Sequence, residues 1–150
     1  MSELDQIRDV VGRIPDPELP AVTLADLGIL RGVEHAADGH VVVTLTPTYS
    51  GCPAIDAIRA DVARTVSDVG YGGVEVRMTL APAWTTDWIT GEGREKLRAY
   101  GIAPPDRSDP ACPQCGSSDT REISRFGSTP CQAHHACNRC LEPFDRFKPI

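Results

Sequence analysis

The sequence predicts an α+β fold in which a small helix-on-sheet domain is followed by a compact cysteine-rich tail. Three observations carry that prediction. Apolar residues recur first at helical and then at strand periods up to Tyr100; a double proline, Pro104-Pro105, breaks the pattern; and five of the six cysteines fall after it, between Cys112 and Cys140. Residues 1–103 are expected to form the first domain, 104–108 a linker and 109–150 the tail.

Ser2 is placed to cap a first helix, because Leu4, Ile7, Val11 and Ile14 share one helical face and Pro15 stops the run. Asp16-Pro17-Glu18-Leu19-Pro20 must then be extended or turned, since each proline pushes its predecessor out of the helical region. Residues 29–34 and 40–46 read as two strands of a hairpin that turns at Asp38-Gly39. A loop leads into a helix over 53–69, where Ile55, Ile58, Val62, Val66 and Val69 keep helical spacing and Gly70 supplies the stop. Val74, Val76, Met78 and Leu80 alternate with polar residues as in a half-buried strand, and a short helix over 92–100 closes the domain. Helices packed on one side of a sheet follow from that order.

The 150-residue chain carries 15 Lys+Arg against 21 Asp+Glu, a formal charge of −6. Sixteen of the acids and ten of the bases precede residue 109, and the tail has five of each, so the acidity belongs to the first domain. Such a chain repels nucleic acid and anionic lipid, and its apolar runs end well short of the roughly 20 residues that cross a bilayer. The N-terminus Met1-Ser2-Glu3-Leu4-Asp5 is acidic where a signal peptide would be basic, so a cytoplasmic protein is expected, without nucleic-acid or membrane partners. In that reducing compartment, crowded cysteines argue for metal or redox chemistry rather than disulfides.

Cys52 stands apart from the others, in Thr46-Pro47-Thr48-Tyr49-Ser50-Gly51-Cys52-Pro53, between a strand and the long helix. With Pro53 as the first helical residue, Cys52 would be the N-cap. Free amides and the positive end of the helix dipole there favour a thiolate, which can ligate metal or attack. Thr48 and Ser50 could add hydroxyl donors, and Asp16, Glu18 and Asp26 lie in or just beyond the proline-rich loop, where they could line a site. The alternatives are a buried, inert cysteine and acids that merely cap turns. His35 and His40 flank the hairpin turn, with nothing that arranges them toward Cys52, so no catalytic residue is assigned.

In the tail, Cys112-Pro113-Gln114-Cys115 and Cys137-Asn138-Arg139-Cys140 are separated by residues 116–136, a spacing close to that of a four-thiolate zinc site. Each pair can turn two sulfurs onto one ion, and Gly116 permits a left-handed turn after the first. A strand-like stretch over 120–126 and a turn at Gly127-Ser128-Thr129-Pro130 complete a zinc-ribbon tail. So short a segment buries too little apolar surface to fold alone, whereas structural zinc contributes on the order of 10–16 kcal/mol in small zinc peptides. Four sulfurs also suit iron, which leaves a rubredoxin-like electron-transfer centre as the alternative. Cys131, with His134 and His135 nearby, is an uncertain extra ligand, and Phe126, Phe144 and Phe147 are expected to pack around the ribbon. The ribbon is charge-neutral, which favours contact with protein over nucleic acid.

Three ordered phrases carry a resemblance: Asp16-Pro17-Glu18-Leu19-Pro20, Asp26-Leu27-Gly28-Ile29-Leu30-Arg31 and the Thr46–Pro53 phrase quoted above look like the signature of the small α/β domain of SufT-type iron–sulfur assembly proteins. With Ser124-Arg125-Phe126-Gly127-Ser128-Thr129 and the closing Glu142-Pro143-Phe144-Asp145-Arg146-Phe147-Lys148-Pro149, the whole chain is similar to the PaaD (PaaJ) family of the bacterial phenylacetyl-CoA epoxidase system. The resemblance implies a part in aerobic phenylacetate degradation. There a di-iron oxygenase epoxidises the ring of phenylacetyl-CoA, and a reductase with flavin and a [2Fe–2S] cluster supplies electrons. It implies help in maturing those metal centres, with oxygenase and reductase subunits as partners. The family's cysteine is matched by Cys52 and its tail cysteines by all five here, but Gln132-Ala133-His134-His135 follows Cys131 where a Lys-Ala-Leu-Tyr-like run is expected.

The residues themselves disfavour an oxygenase or reductase subunit, because the chain has neither a Glu-x-x-His pair on helices nor a glycine-rich dinucleotide fingerprint. The expected role is a non-catalytic accessory component of a multicomponent oxygenase: Cys52 transiently holds iron or an iron–sulfur cluster, Asp16, Glu18, Thr48 and Ser50 shape its surroundings, and the zinc ribbon docks onto the client. The alternatives are a structural bridging subunit with Cys52 inert, and an electron-transfer component with iron in the tail. A homodimer, with one metal shared between two copies, stays open.

Overall fold

The computed structural model describes residues 2–48, 54–106 and 108–150. The chain forms two compact units, Met1–Thr90 and Gly91–Ile150.

In the first unit, α1 (Glu3–Gly12) opens with a full capping box, in which Ser2 accepts from the Asp5 amide and the Asp5 carboxylate accepts from the Ser2 amide. Its Ile7 and Val11 are buried, and the helix packs against β1 and α3. The chain then turns through the proline loop into a short helix, α2 (Leu24–Leu27), which is capped in the same way by Thr23 and Asp26 and ends at Gly28 in the left-handed conformation. Sequence periodicity misses α2 because a single turn is too short to show a helical period. β1 (Leu30–His35) and β2 (Val41–Leu45) form the expected antiparallel hairpin, with Gly39 at φ 91° in its turn.

α3 (Ile55–Asp68) buries Ile58, Val62 and Val66, and β3 (Glu75–Met78) pairs in parallel with β2, giving the sheet order β1-β2-β3. The central strand is a near-continuous buried run, Val41-Val42-Val43 and Leu45, while the edge strand β3 is only half-buried. α3 is described from residue 54 onward. Its N-cap is Ala54, whose carbonyl accepts from the Ile58 amide at 2.9 Å, and no side chain caps it. The N-cap expected at Cys52 lies outside the described residues.

In the second unit, α4 (Gly91–Ala99) leads through Gly101, at φ 88°, into the two-residue strand β4 (Ile102–Ala103). β5 (Thr120–Ser124), β6 (Gln132–Cys137) and β7 (Pro143–Phe147) follow, and the four strands form one sheet in the order β4-β7-β6-β5. The compact units divide at Thr90/Gly91, and residues 104–106, expected in a linker, follow β4 within the second unit. The prolines do end a helix, but the strand just before them pairs in parallel with β7, Ile102 opposite Asp145 and Ala103 opposite Arg146. The Arg146 guanidinium donates to the carbonyls of Asp106 and, at 3.0 Å, of Ser108, and Arg94 donates to that of Pro105 at 2.8 Å. Composition does not register such hydrogen bonds, which are made by side chains distant in sequence. Phe144 and Phe147 are buried as expected, but Phe126 is 66% exposed, with the Lys148 ammonium 4.5 Å above its ring.

Candidate functional site

The two Cys-x-x-Cys turns bring Cys112, Cys115, Cys137 and Cys140 together, their sulfurs all within 4.8 Å of one another. Cys112 Sγ lies 3.7 Å from Cys140 Sγ, and Cys115 Sγ lies 3.6 Å from Cys137 Sγ. A metal–sulfur bond of about 2.3 Å in a regular tetrahedron requires edges of about 3.8 Å, so the four thiols fit one tetrahedral ion. The geometry serves zinc and iron alike.

Both turns are built alike. The amide of Gln114 points at Cys112 Sγ (3.4 Å), and those of Arg139 and Cys140 point at Cys137 Sγ (3.4 Å each). In each turn the residue after the second cysteine takes a positive φ and its amide returns to the carbonyl of the first cysteine: Gly116 (φ 77°) to Cys112 at 2.8 Å, Leu141 (φ 68°) to Cys137 at 3.1 Å. The Cys140 amide, with that of Arg139 and the neighbouring thiols, lowers Cys137 to about 7. The Glu142 amide pulls Cys140 down, but burial and the thiols of Cys112, Cys137 and Cys115 outweigh it and push Cys140 up to about 12. Of these two thiols, Cys137 ionises before Cys140.

Cys131 is not part of the clamp. It is buried, 2.9 Å from Thr129 Oγ1, in the turn that precedes β6. A Cys-x-x-Cys turn points two sulfurs at the same spot, and a lone cysteine outside such a turn has no equivalent guide. His135 is buried and stacks on Phe144 with ring centroids 5.7 Å apart; neither ring nitrogen has a hydrogen-bond partner, and burial pushes its pKa down, keeping it neutral. His134 lies 3.3 Å from Asp145, whose other carboxylate oxygen accepts from Ser128 at 2.8 Å. This polar lock holds the turn after β5 against β7.

In the first unit, the residues expected around Cys52 are only partly on view: Cys52 and Ser50 lie outside the described residues. Asp16 is buried, and its Oδ1 accepts from the amides of Glu18 (2.8 Å) and Leu19 (2.9 Å). It therefore caps the proline-loop turn, the plainer of the two roles expected for it, but burial outweighs those two bonds and raises its pKa. Burial and the Asp16 charge raise that of Glu18 as well. Asp26 belongs to the α2 capping box. Backbone bonds link the segments in sequence: Leu24 to Ile14 (2.9 Å), Asp16 to Val22 (2.9 Å), Ile29 to Leu24 (3.0 Å) and Thr46 to Ile29 (2.9 Å). α2 thus stands between the Asp16 loop and the end of β2 in a chain of backbone bonds. Thr48 is half-buried, and Thr46, two residues before it, buries a hydroxyl without a hydrogen-bond partner among the described residues. From sequence, Thr46 is merely the last residue of a strand; its place before Pro47 is the one signal that the ladder ends there.

A three-stranded helix-on-sheet unit with a buried acidic turn, followed by a four-thiolate clamp on a β-ribbon, defines an iron–sulfur assembly-type protein with a metal-binding appendage. Residues 4–78 match the family model described as "Iron-sulfur cluster assembly protein", and residues 103–148 match that of the PaaD zinc beta ribbon domain. A protein of Escherichia coli (strain K12), provisionally named as one of the subunits of 1,2-phenylacetyl-CoA epoxidase, is 43% identical over 99% of this chain and 94% of its own length. An Fe-S protein maturation auxiliary factor of Porphyromonas gingivalis (strain ATCC BAA-308 / W83) is 39% identical over 64% of this chain and 90% of its own. The crystal structure of a DUF59 domain from Bacillus anthracis superposes with a TM-score of 0.57 and 25% identity, covering 63% of this chain and 90% of that one. The chain belongs to the PaaD family. Among the described residues, no helix is long and apolar enough to cross a membrane.

Proposed function

We propose that this chain is a non-catalytic accessory factor that assists assembly or maturation of the iron–sulfur or di-iron centres of a phenylacetyl-CoA epoxidase. Cys52 is the transient ligand of the iron or cluster in transit, Asp16, Glu18, Thr48 and Ser50 shape its surroundings, and oxygenase and reductase subunits are the clients. The observation that carries this reading is the run of backbone bonds that joins the loop of the buried Asp16, through α2, to the end of β2, the strand that precedes Cys52 in the chain. A carboxyl whose pKa burial raises can keep or release a proton near a thiolate that binds or lets go of metal. The names of the relatives support the same reading, since one is called a maturation factor and another is named within the epoxidase.

In the tail we assign structural zinc. Two of the four cysteines, Cys112 and Cys137, are buried in the small core of the ribbon, which suits a closed site whose metal holds a fold together. Bound there, zinc would supply folding free energy rather than chemistry; the backbone amides orient the sulfurs.

The test is Cys52→Ala, co-expressed with the oxygenase and reductase subunits. Lower iron content in a client with zinc in the tail unchanged is the expected result, and unchanged iron loading would overturn the proposal. Metal analysis and a visible spectrum of the purified chain decide the tail: one zinc per chain and no thiolate-to-iron absorption are expected.

A further inference from the structure

The second unit contains a coupling that goes beyond any role of Cys52. Ala103 of β4 packs in one buried cluster with Cys112, Cys137 and Phe144, and Cys140 lies against it. Three of those five residues belong to the clamp. β4 is two residues long and held by a short parallel pairing to β7, too little to stand without side-chain packing beneath it. α4 precedes it with nine residues, below the length at which an isolated helix persists in water. The chain after β4 is tied down by the ribbon itself, through Arg146 to the Ser108 carbonyl (3.0 Å) and Thr120 Oγ1 to the Pro110 carbonyl (2.9 Å).

We propose that the ion in the four-thiolate clamp governs the folding of α4 and β4, so that residues 91–106 are ordered when the clamp is loaded and unfold when it is stripped. The physical reason lies in the sulfurs. The four sulfurs converge within 4.8 Å on the position one shared cation would fill, and without it the two turns lose the metal–sulfur bonds that would tie them together. Cys112 and Cys137 then leave the underside of Ala103, and the short strand loses its packing. The metal thereby acts on a helix that contributes no ligand to it, and turns a folded segment into a flexible connector.

Hydrogen–deuterium exchange on the full chain tests this, comparing zinc-loaded protein with protein stripped by a chelator under reducing conditions. Peptides over 91–106 should exchange at least about tenfold faster after stripping, in step with those over 112–140, while those from α1 and β2 keep their protection. Cys115→Ser provides a second arm. Cys115 is exposed and lies outside the apolar cluster, so its replacement removes a ligand without disturbing the packing, and it should reproduce the stripped pattern. Retained protection over 91–106 in both metal-free forms would overturn the proposal, as would loss of protection that extends equally to α1 and β2. Because Cys52 takes no part, the result is independent of the reading of the first unit.

Discussion

A Cβ placed on Gly28 would lie 2.6 Å from the Trp88 carbonyl oxygen and 2.7 Å from the Trp88 Cβ, and Gly28 itself sits at φ 72°. Two backbones from distant parts of the first unit meet here at a distance only glycine permits. Trp84 reinforces the junction by donating from Nε1 to the Leu27 carbonyl at 2.8 Å, and the Arg31 guanidinium stacks 3.8 Å from the centre of the Trp88 ring. Gly28→Ala combines left-handed strain with a backbone clash and should cost about 2–4 kcal/mol in chemical denaturation. A loss below about 0.5 kcal/mol would show that the two segments separate freely.

Leu141 offers the opposite case. It is the counterpart of Gly116 in the second cysteine turn, yet it is a non-glycine residue at positive φ and is 78% exposed. Leu141→Gly relieves left-handed strain and gives up little packing, so metal retention against a competing chelator should improve by up to about 1 kcal/mol. A weaker hold on the metal would instead assign the leucine side chain a part in the turn.

Asp16 makes the stability of the first unit depend on pH. Its folded pKa is raised by burial above the ordinary 3.8, so its favourable contribution is fully present below that value and is lost as pH rises through the folded pKa. Asp16→Asn keeps an oxygen for the Glu18 and Leu19 amides and removes the titration. The stability of the variant relative to the parent should therefore increase with pH across the weakly acidic range, whereas Asp16→Ala should lose about 1 kcal/mol or more at every pH for want of the cap. Urea denaturation of the three proteins at several pH values checks both expectations.

The clamp gives a prediction of metal content. Thiols must lose protons to bind, and Cys137 is lowered to about 7, chiefly by the Cys140 amide. Affinity should fall as pH drops through that region. Cys137→Ser should abolish stoichiometric binding, while Cys131→Ser, outside the clamp, should keep one ion per chain. Metal analysis after gel filtration reads both, and metal loss in Cys131→Ser would return that residue to the ligand set.

Much of this was legible in the chain itself. Ser2, Asp38-Gly39 and Gly70 mark their cap, turn and stop by local chemistry, and the two Cys-x-x-Cys turns declare a shared ion because each turn closes within four residues. The elements that escaped, α2, β4, β6 and β7, are too short or too mixed in composition for a period to show.

The sequence by itself determined the class of protein, the place of the clamp and the four sulfurs in it, because those depend on residue types at short, rigid spacings. Only the tertiary structure decided that the chain divides after Thr90, that Cys131 stands apart and that Ala103 rests on the clamp. These depend on contacts between residues far apart along the chain, whose stability comes from shared burial, and no local pattern records which surfaces will be buried together.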